Sequence, residues 1–182
     1  SSGKYIARMD ADDISEMNRL ELQVRHMELN ESIGVCGSFA NIFGHNNGTW
    51  RTPQMHEDIV SGLLNGSTFC HPSVIIRASV LKKNEIKYTE EFIYAEDYLL
   101  WIKLANVTRF YNIPIALLNY RTSNNQTSLK QEIKQKESHF SCQIYFITKY
   151  LGFSHTEIEF VKKGIKNSKD VKNIIKIFSS VQ

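Results

Sequence analysis

Cysteine is scarce in this chain: Cys36, Cys70 and Cys142 are the only three in 182 residues, and none stands in CxxC spacing. An odd, scattered set indicates neither a disulfide framework nor a zinc site, and it suits a reducing compartment. Long apolar runs are missing too. No stretch approaches the roughly 18 residues of a membrane-spanning helix, and the first residues carry no signal-peptide pattern, so a soluble chain is expected. There is no internal repeat, no low-complexity linker and no Gly-rich phosphate loop, which removes solenoid, tethered-array and P-loop readings.

What is present is ordinary globular material: 42% hydrophobic and 23% charged residues, enough for one domain with a core of its own. The charge is unevenly divided. Residues 1–129 hold 12 Lys/Arg against 14 Asp/Glu, and residues 130–182 hold 10 Lys against 5 acids, net −2 and +5 within the total of +3. A soft boundary near residue 130 therefore separates a mixed α/β body from a basic, helical C-terminal extension over 131–182. Such a tail can meet anionic lipid or nucleic acid, or serve only as a solvated helix face.

Negative charge is concentrated where an apolar run stops. Tyr5 to Met9 reads as a strand, and Asp10, Asp12 and Asp13 follow it at once. Alternation along an extended D-A-D turns Asp10 and Asp12 to one side, where two hard oxygen ligands suit Mg²⁺ or Mn²⁺ with substrate phosphates. The plainer account is a turn in which Asp12 or Asp13 caps a helix starting near Ile14.

Further along, Met17–Leu29 carries Leu20, Val24 and Met27 at helical spacing, with Leu22 and Leu29 widening the stripe. SIGVCGSFANIFG reads as a strand broken by Gly34 and Gly37, and the Asn-Gly step of HNNGTW predicts a hairpin. HEDIVSGLLNG reads as a short helix, FCHPSVIIR as a strand interrupted at His71-Pro72, and EFIYAEDYLLWIKLA as an extended start running into a helix. RFYNIPIALLNYR is a strand pair or a strand bent at Pro114, and RTSNNQTS a polar loop. Glu96 and Asp97 open the predicted helix, where acids complement the dipole by about 0.3–1 kcal/mol. Joined with Asp10 and Asp12 they make a fuller set: a carboxylate pair to hold a metal and a separate carboxylate to act as base.

Taken in order, GKYIARMDADD, RLELQ, IGVCGS, FCHPSVIIR, EFIYAEDYLLW and NIPIALLNYR resemble the second half of a family 2 glycosyltransferase of the GT-A fold, over residues 3 to about 129. The resemblance implies a mixed sheet flanked by helices. It also implies an inverting enzyme that moves a sugar from a nucleotide-diphosphate donor to the hydroxyl of a saccharide or lipid-linked acceptor, usually in bacterial surface polysaccharide synthesis. Asp10 and Asp12 match the family's DxD motif, Asp12 as direct ligand of a divalent metal and Asp10 nearer the ribose, with Asp13 counted among the donor-binding residues. Asp97 matches the base of the ED motif, and Glu96 would position acceptor or base.

Other matched positions have competing accounts. His71 would approach the metal or diphosphate, or be a satisfied loop residue. Arg121 would grip diphosphate through its fork, or form a surface salt bridge. Trp101 is expected in the core rather than against a sugar, and Arg19 is expected to pair with and orient one of the motif's carboxylates. Asp10, Asp12, Asp97 and His71 are expected to converge on one cleft.

The family's parallel strand and helix units that precede the DxD are not in this sequence, so the chain is expected to be the catalytic half of a larger domain. A partner chain could supply the rest, and a homo-oligomer is left open. The expected location is cytoplasmic, with peripheral contact at the inner face of the membrane left open, and no nucleic acid is expected. Rival readings are a haloacid-dehalogenase-type phosphatase, a calcium loop, and a non-catalytic module docking through its basic tail. The first lacks Gly-Thr after its DxD, and the second has Ile14 at a ligand position.

Overall fold

Residues 33–44 form the strand around which the rest is arranged. The computed structural model describes residues 2–89, 92–123 and 131–150. Its elements are β1 (Tyr5–Ala7), β2 (Ile14–Ser15), α1 (Arg19–Leu29), β3 (Ile33–Gly44), β4 (Gly48–Trp50), α2 (His56–Gly62), a 3₁₀ turn (His71–Ser73), β5 (Ile75–Arg77), α3 (Ala78–Lys83), α4 (Glu96–Ala105), β6 (Arg109–Thr122) and α5 (Glu132–Tyr150). The strands make one mixed sheet in the order β1-β5-β3-β6-β2, with β4 paired to β3 as a hairpin. Strands β3 and β6 run parallel, and the other pairings are antiparallel.

Strand β3 is continuous, contrary to the break expected at Gly34 and Gly37. At Gly37 the missing side chain is what allows the packing: a Cβ there would lie 2.1 Å from Asn112 Oδ1 and 2.8 Å from the Phe69 ring. The glycine marks a close approach across the sheet, a use of glycine in strands that leaves the ladder intact. Strand β6 is likewise single, and its irregularity is a bulge. Ser38 pairs with Ile113 and the next residue, Phe39, with Ala116, so Pro114 and Ile115 stand out of register where proline has no N–H to donate.

Side chains alternate between the two faces of the sheet. Val35 and Ile76 point into one core with Phe69, Phe110, Ile59 of α2 and the buried face of α4, to which Cys142 and Phe146 of α5 are added. Cys36 and Ile75 point into the other, with Met27 of α1, Ile113 and Leu117. Period-two burial on both faces is what a sheet between helical layers requires.

The helix after the acidic turn differs from its expected form. It begins at Arg19, and Ile14–Ser15 is extended instead, paired to Asn119 and Leu118 of β6, so no helix starts near Ile14 for an aspartate to cap. Its fully buried residues are Arg19, Gln23 and Met27, while Leu20 and Leu29 are exposed. Hydrophobic spacing located the helix but not its inner face, because two polar side chains satisfied by internal hydrogen bonds take that face. Of the apolar tail residues, Ile144, Phe146 and Ile147 are buried in the described part of α5. The expected helices carrying Leu151, Ile174, Ile175, Ile177 and Phe178 lie outside the described residues.

Candidate active site

The acidic stretch joins opposite edges of the sheet. Strand β1 before it pairs with β5 and strand β2 after it pairs with β6, so residues 8–13 cross from one edge to the other. Backbone hydrogen bonds tie down both ends: Arg8 N–H donates to Val74 O (3.0 Å) and Glu16 N–H to Leu117 O (3.1 Å). Between them Asp13 N–H donates to Asp10 O at 3.4 Å, closing a turn whose corners are Ala11 and Asp12. The alternation expected for D-A-D therefore does not apply, since period two belongs to extended chain.

The three aspartates have three environments. Asp10 is half-buried and ion-paired with Arg8 at 2.6 Å. Asp12 is exposed, and its carbonyl accepts a bond from Arg121 Nε (2.9 Å). Asp13 is buried: Oδ1 accepts the Arg121 N–H at 2.9 Å, and Oδ2 has no partner among the described residues. Burial pushes the Asp13 carboxyl above the usual range against the pull of the Arg121 N–H bond, and the neighbouring Asp10 and Asp12 push the same way. Arg121 is therefore a clamp on the turn, with its guanidinium also 4.5 Å over the Phe43 ring.

Beneath the turn lies a buried polar network that hydrophobic periodicity gave no means of finding. Arg19 Nη2 donates to Arg8 O (2.7 Å) and Nε to Gln23 Oε1 (3.2 Å). Gln23 Nε2 donates onward to Cys36 O (3.1 Å) and Ser73 O (2.8 Å). Ser73 Oγ bonds Cys70 O (2.8 Å) and accepts Ser38 N–H (3.1 Å). Arg19 was expected to meet a carboxylate; its guanidinium holds main-chain and amide oxygens instead, and burial pulls its pKa down. The network fastens Arg8, two residues before Asp10, to the 3₁₀ turn that carries His71.

His71 Nε2 lies 2.7 Å from Tyr88 Oη, and its ring centroid is 5.8 Å from that of Trp101. Trp101 is fully buried, as expected of a core residue. Burial lowers the His71 pKa; Asp97, Asp10 and Glu96 oppose that shift, and Arg8 adds to it. Tyr88 is also acted on by Arg8 and Asp97, and desolvation of its phenol pushes the pKa up to about 12 although the residue as a whole stays exposed. Asp10 of the acidic turn and Glu96 and Asp97 of α4 thus act on the charge of one histidine, although 87 positions separate Asp10 from Asp97.

The start of α4 is locally constrained. Tyr94 adopts a left-handed φ of 68°, uncommon for an aromatic residue, and its N–H donates to Glu96 Oε1 (2.9 Å). That bond turns Glu96 back over the loop, while Asp97 Oδ2 accepts a bond from Ser67 Oγ (3.3 Å). Among the described residues no group of three or more His, Cys, Asp or Glu side chains is placed to hold a metal ion, so Asp10, Asp12 and His71 do not form a ready-made cage. Arg8 was overlooked in the sequence, although its spacing of two from Asp10 was a usable signal. Tyr88 and Ser67 carried none.

Residues 1–90 match the family described as Glycosyl transferase family 2. An uncharacterized glycosyltransferase of Haemophilus influenzae is 33% identical over 162 residues, covering 83% of this chain and 50% of that protein. The Escherichia coli O-antigen biosynthesis glycosyltransferase WbnJ is 32% identical over 151 residues, covering 80% of this chain and 56% of WbnJ. Among solved structures, S. aureus TarS 1–349 in complex with UDP-GlcNAc superposes with a TM-score of 0.59 at 17% identity, covering 91% of this chain and 54% of that one. The chain thus spans about half the length of the relatives it matches. The fold is of the GT-A type, which sets aside the phosphatase reading. On the family match and the relatives together, this chain belongs to the family 2 glycosyltransferases.

Proposed function

We propose that the protein carrying this chain is an inverting transferase that passes a sugar from a nucleotide-diphosphate donor to an acceptor hydroxyl in surface polysaccharide synthesis, on the cytoplasmic side of the membrane. One feature supports the reading: the Asp10 and Asp97 carboxylates both oppose the burial-driven lowering of the pKa of half-buried His71. A relative in O-antigen biosynthesis and a UDP-GlcNAc-bound structural neighbour support the substrate classes.

In this reaction the acceptor oxygen attacks the anomeric carbon, the bond from that carbon to the diphosphate breaks, and the nucleoside diphosphate leaves. Asp97 takes the hydroxyl proton as the new bond forms, held toward the site by Ser67. Glu96 holds the Tyr94 turn and with it the start of α4. Asp13 and Arg121 keep the acidic turn in one shape, so that Asp12 stands exposed at its corner. The carboxylates of Asp12 and Asp10 are hard oxygen donors that fit Mg²⁺ or Mn²⁺ and would hold it together with oxygens of the substrate. When bound there the cation would supply charge neutralisation of the diphosphate.

The test uses the full-length protein. Asp97→Asn keeps size and hydrogen bonding but cannot take the proton, so acceptor turnover should fall by about 10² to 10⁴ with donor affinity nearly unchanged. Near-normal turnover removes Asp97 as the base, and loss of donor affinity equal to the loss of rate makes it a binding residue.

A further inference from the structure

A second concave site lies at the opposite end of α4 from Glu96 and Asp97. Ten residues of helix, at a rise of about 1.5 Å each, put it roughly 15 Å along the axis. There the loop after α3, the end of α4 and the last turns of α5 enclose a cavity of ≈ 480 Å³. Lys87, Lys103 and Lys149 line it, one from each of these three elements, and none of them enters an ion pair among the described residues. Among the described residues the only acid in the lining is Glu85, and Thr89 Oγ1 is buried with no partner there.

Lysines at a helix end have an ordinary use, answering the negative C-terminal dipole, which amounts to about half a charge per helix. That use does not consume these three. The end of α3 has Lys82 and Lys83 in its own last turn, and neither lines the cavity. Among the described residues, Glu85 and the ends of α4 and α5 stand against the three cavity ammoniums, which leaves an excess of roughly one positive charge in a concave space. Glu85 takes a left-handed φ of 53° in the turn that caps α3, with Ile86 N–H donating back to Leu81 O at 3.0 Å. Asn84 and Asn106 donate amide N–H groups to Val80 O and Ile102 O of their own helices, so the lysines are the cationic groups of the lining.

We propose that this cavity binds a phosphate-bearing anion, either a soluble phosphate compound or the headgroup of an anionic lipid. The site is separate in residues and place from the proposed transferase site, and its occupancy does not depend on that reading. Three lysines from three elements line the cavity, and the charge and size of a phosphate group are what they would recognise.

The experiment measures binding of the full-length protein to inorganic pyrophosphate by calorimetry and to vesicles by flotation. The vesicles are neutral phosphatidylcholine alone or with phosphatidylglycerol. The same is done for Lys103→Gln, for the triple variant Lys87→Gln/Lys103→Gln/Lys149→Gln, and for Lys134→Gln as an exposed control on α5, all with folding checked by circular dichroism. Neutralisation should weaken binding roughly fivefold per lysine and about a hundredfold in the triple variant, with the control unchanged. Saturable pyrophosphate binding lost in the triple variant identifies a soluble ligand. Binding only to phosphatidylglycerol vesicles, lost in the same variant, identifies a lipid headgroup. Absence of both, or binding that the folded triple variant retains in full, overturns the proposal.

Discussion

Replacing Arg19 by Met tests whether the acidic turn is held from beneath. Arg19 is 2% exposed; its 2.7 Å bond to Arg8 O joins α1 to the residue two before Asp10, and its 3.2 Å bond to Gln23 Oε1 holds the guanidinium from within the helix. A third contact, to Val74 O at 3.5 Å, lies at the limit of a hydrogen bond and is not counted. Each bond from a charged donor contributes about 1.5–3 kcal/mol, so roughly 3–6 kcal/mol is lost with the guanidinium. Removing a buried charge returns part of this, about 1–4 kcal/mol, and the methionine stem refills most of the volume. The expected net loss is about 2 kcal/mol, near a thirtyfold change in the folding equilibrium. Urea unfolding of the full-length protein and its Arg19→Met variant reads this from the midpoint at constant slope. Nucleotide-sugar titration should show weaker donor binding as the turn loosens. A loss below about 0.5 kcal/mol, or a 2 kcal/mol loss with donor affinity unchanged, refutes the reasoning that Arg19 fixes the turn.

Gly37→Ala should destabilise the fold by about 1–3 kcal/mol, because the new methyl would meet Asn112 Oδ1 at 2.1 Å inside a close-packed sheet; an unchanged unfolding midpoint removes the close-approach argument. Asp12→Asn in the full-length protein should abolish most metal-dependent turnover and weaken donor binding only when divalent cation is present, and equal wild-type turnover in excess chelator ends the metal proposal. Burial lowers the pKa of His139, with Asp97 acting weakly the other way. As pH falls through about 6.5 the unfolded chain takes up this proton before the folded one does, so stability is lost on acidification and restored above that pH. His139→Gln should flatten the dependence of the urea midpoint between pH 7.5 and 5.5, leaving the part due to His26, His56 and His71, whose shifts have the same sign. Identical slopes in variant and wild type would exclude His139.

Much of the molecule was legible one residue at a time. The strand before Asp10, the Asn-Gly hairpin, the α4 helix opening on Glu96 and Asp97, and the core position of Trp101 follow from local preference and apolar spacing, which act over a few residues. The grouping of acids after a strand and at a helix start named the candidate carboxylates. Three things needed the tertiary structure. The inner face of α1 is set by Arg19 and Gln23, because their bonds reach residues as far away as Ser73. Gly34 and Gly37 of β3 are spacers rather than breaks, because Thr108 crosses the first, and Asn112 and Phe69 cross the second. The roles within Asp10, Asp12 and Asp13 differ because Arg8 pairs with the first, while Arg121 binds the backbone of the second and caps the side chain of the third. Sequence periodicity reports which side chains avoid water. It cannot report which buried polar group finds its partner a hundred residues away, and the geometry of this turn rests on those partnerships.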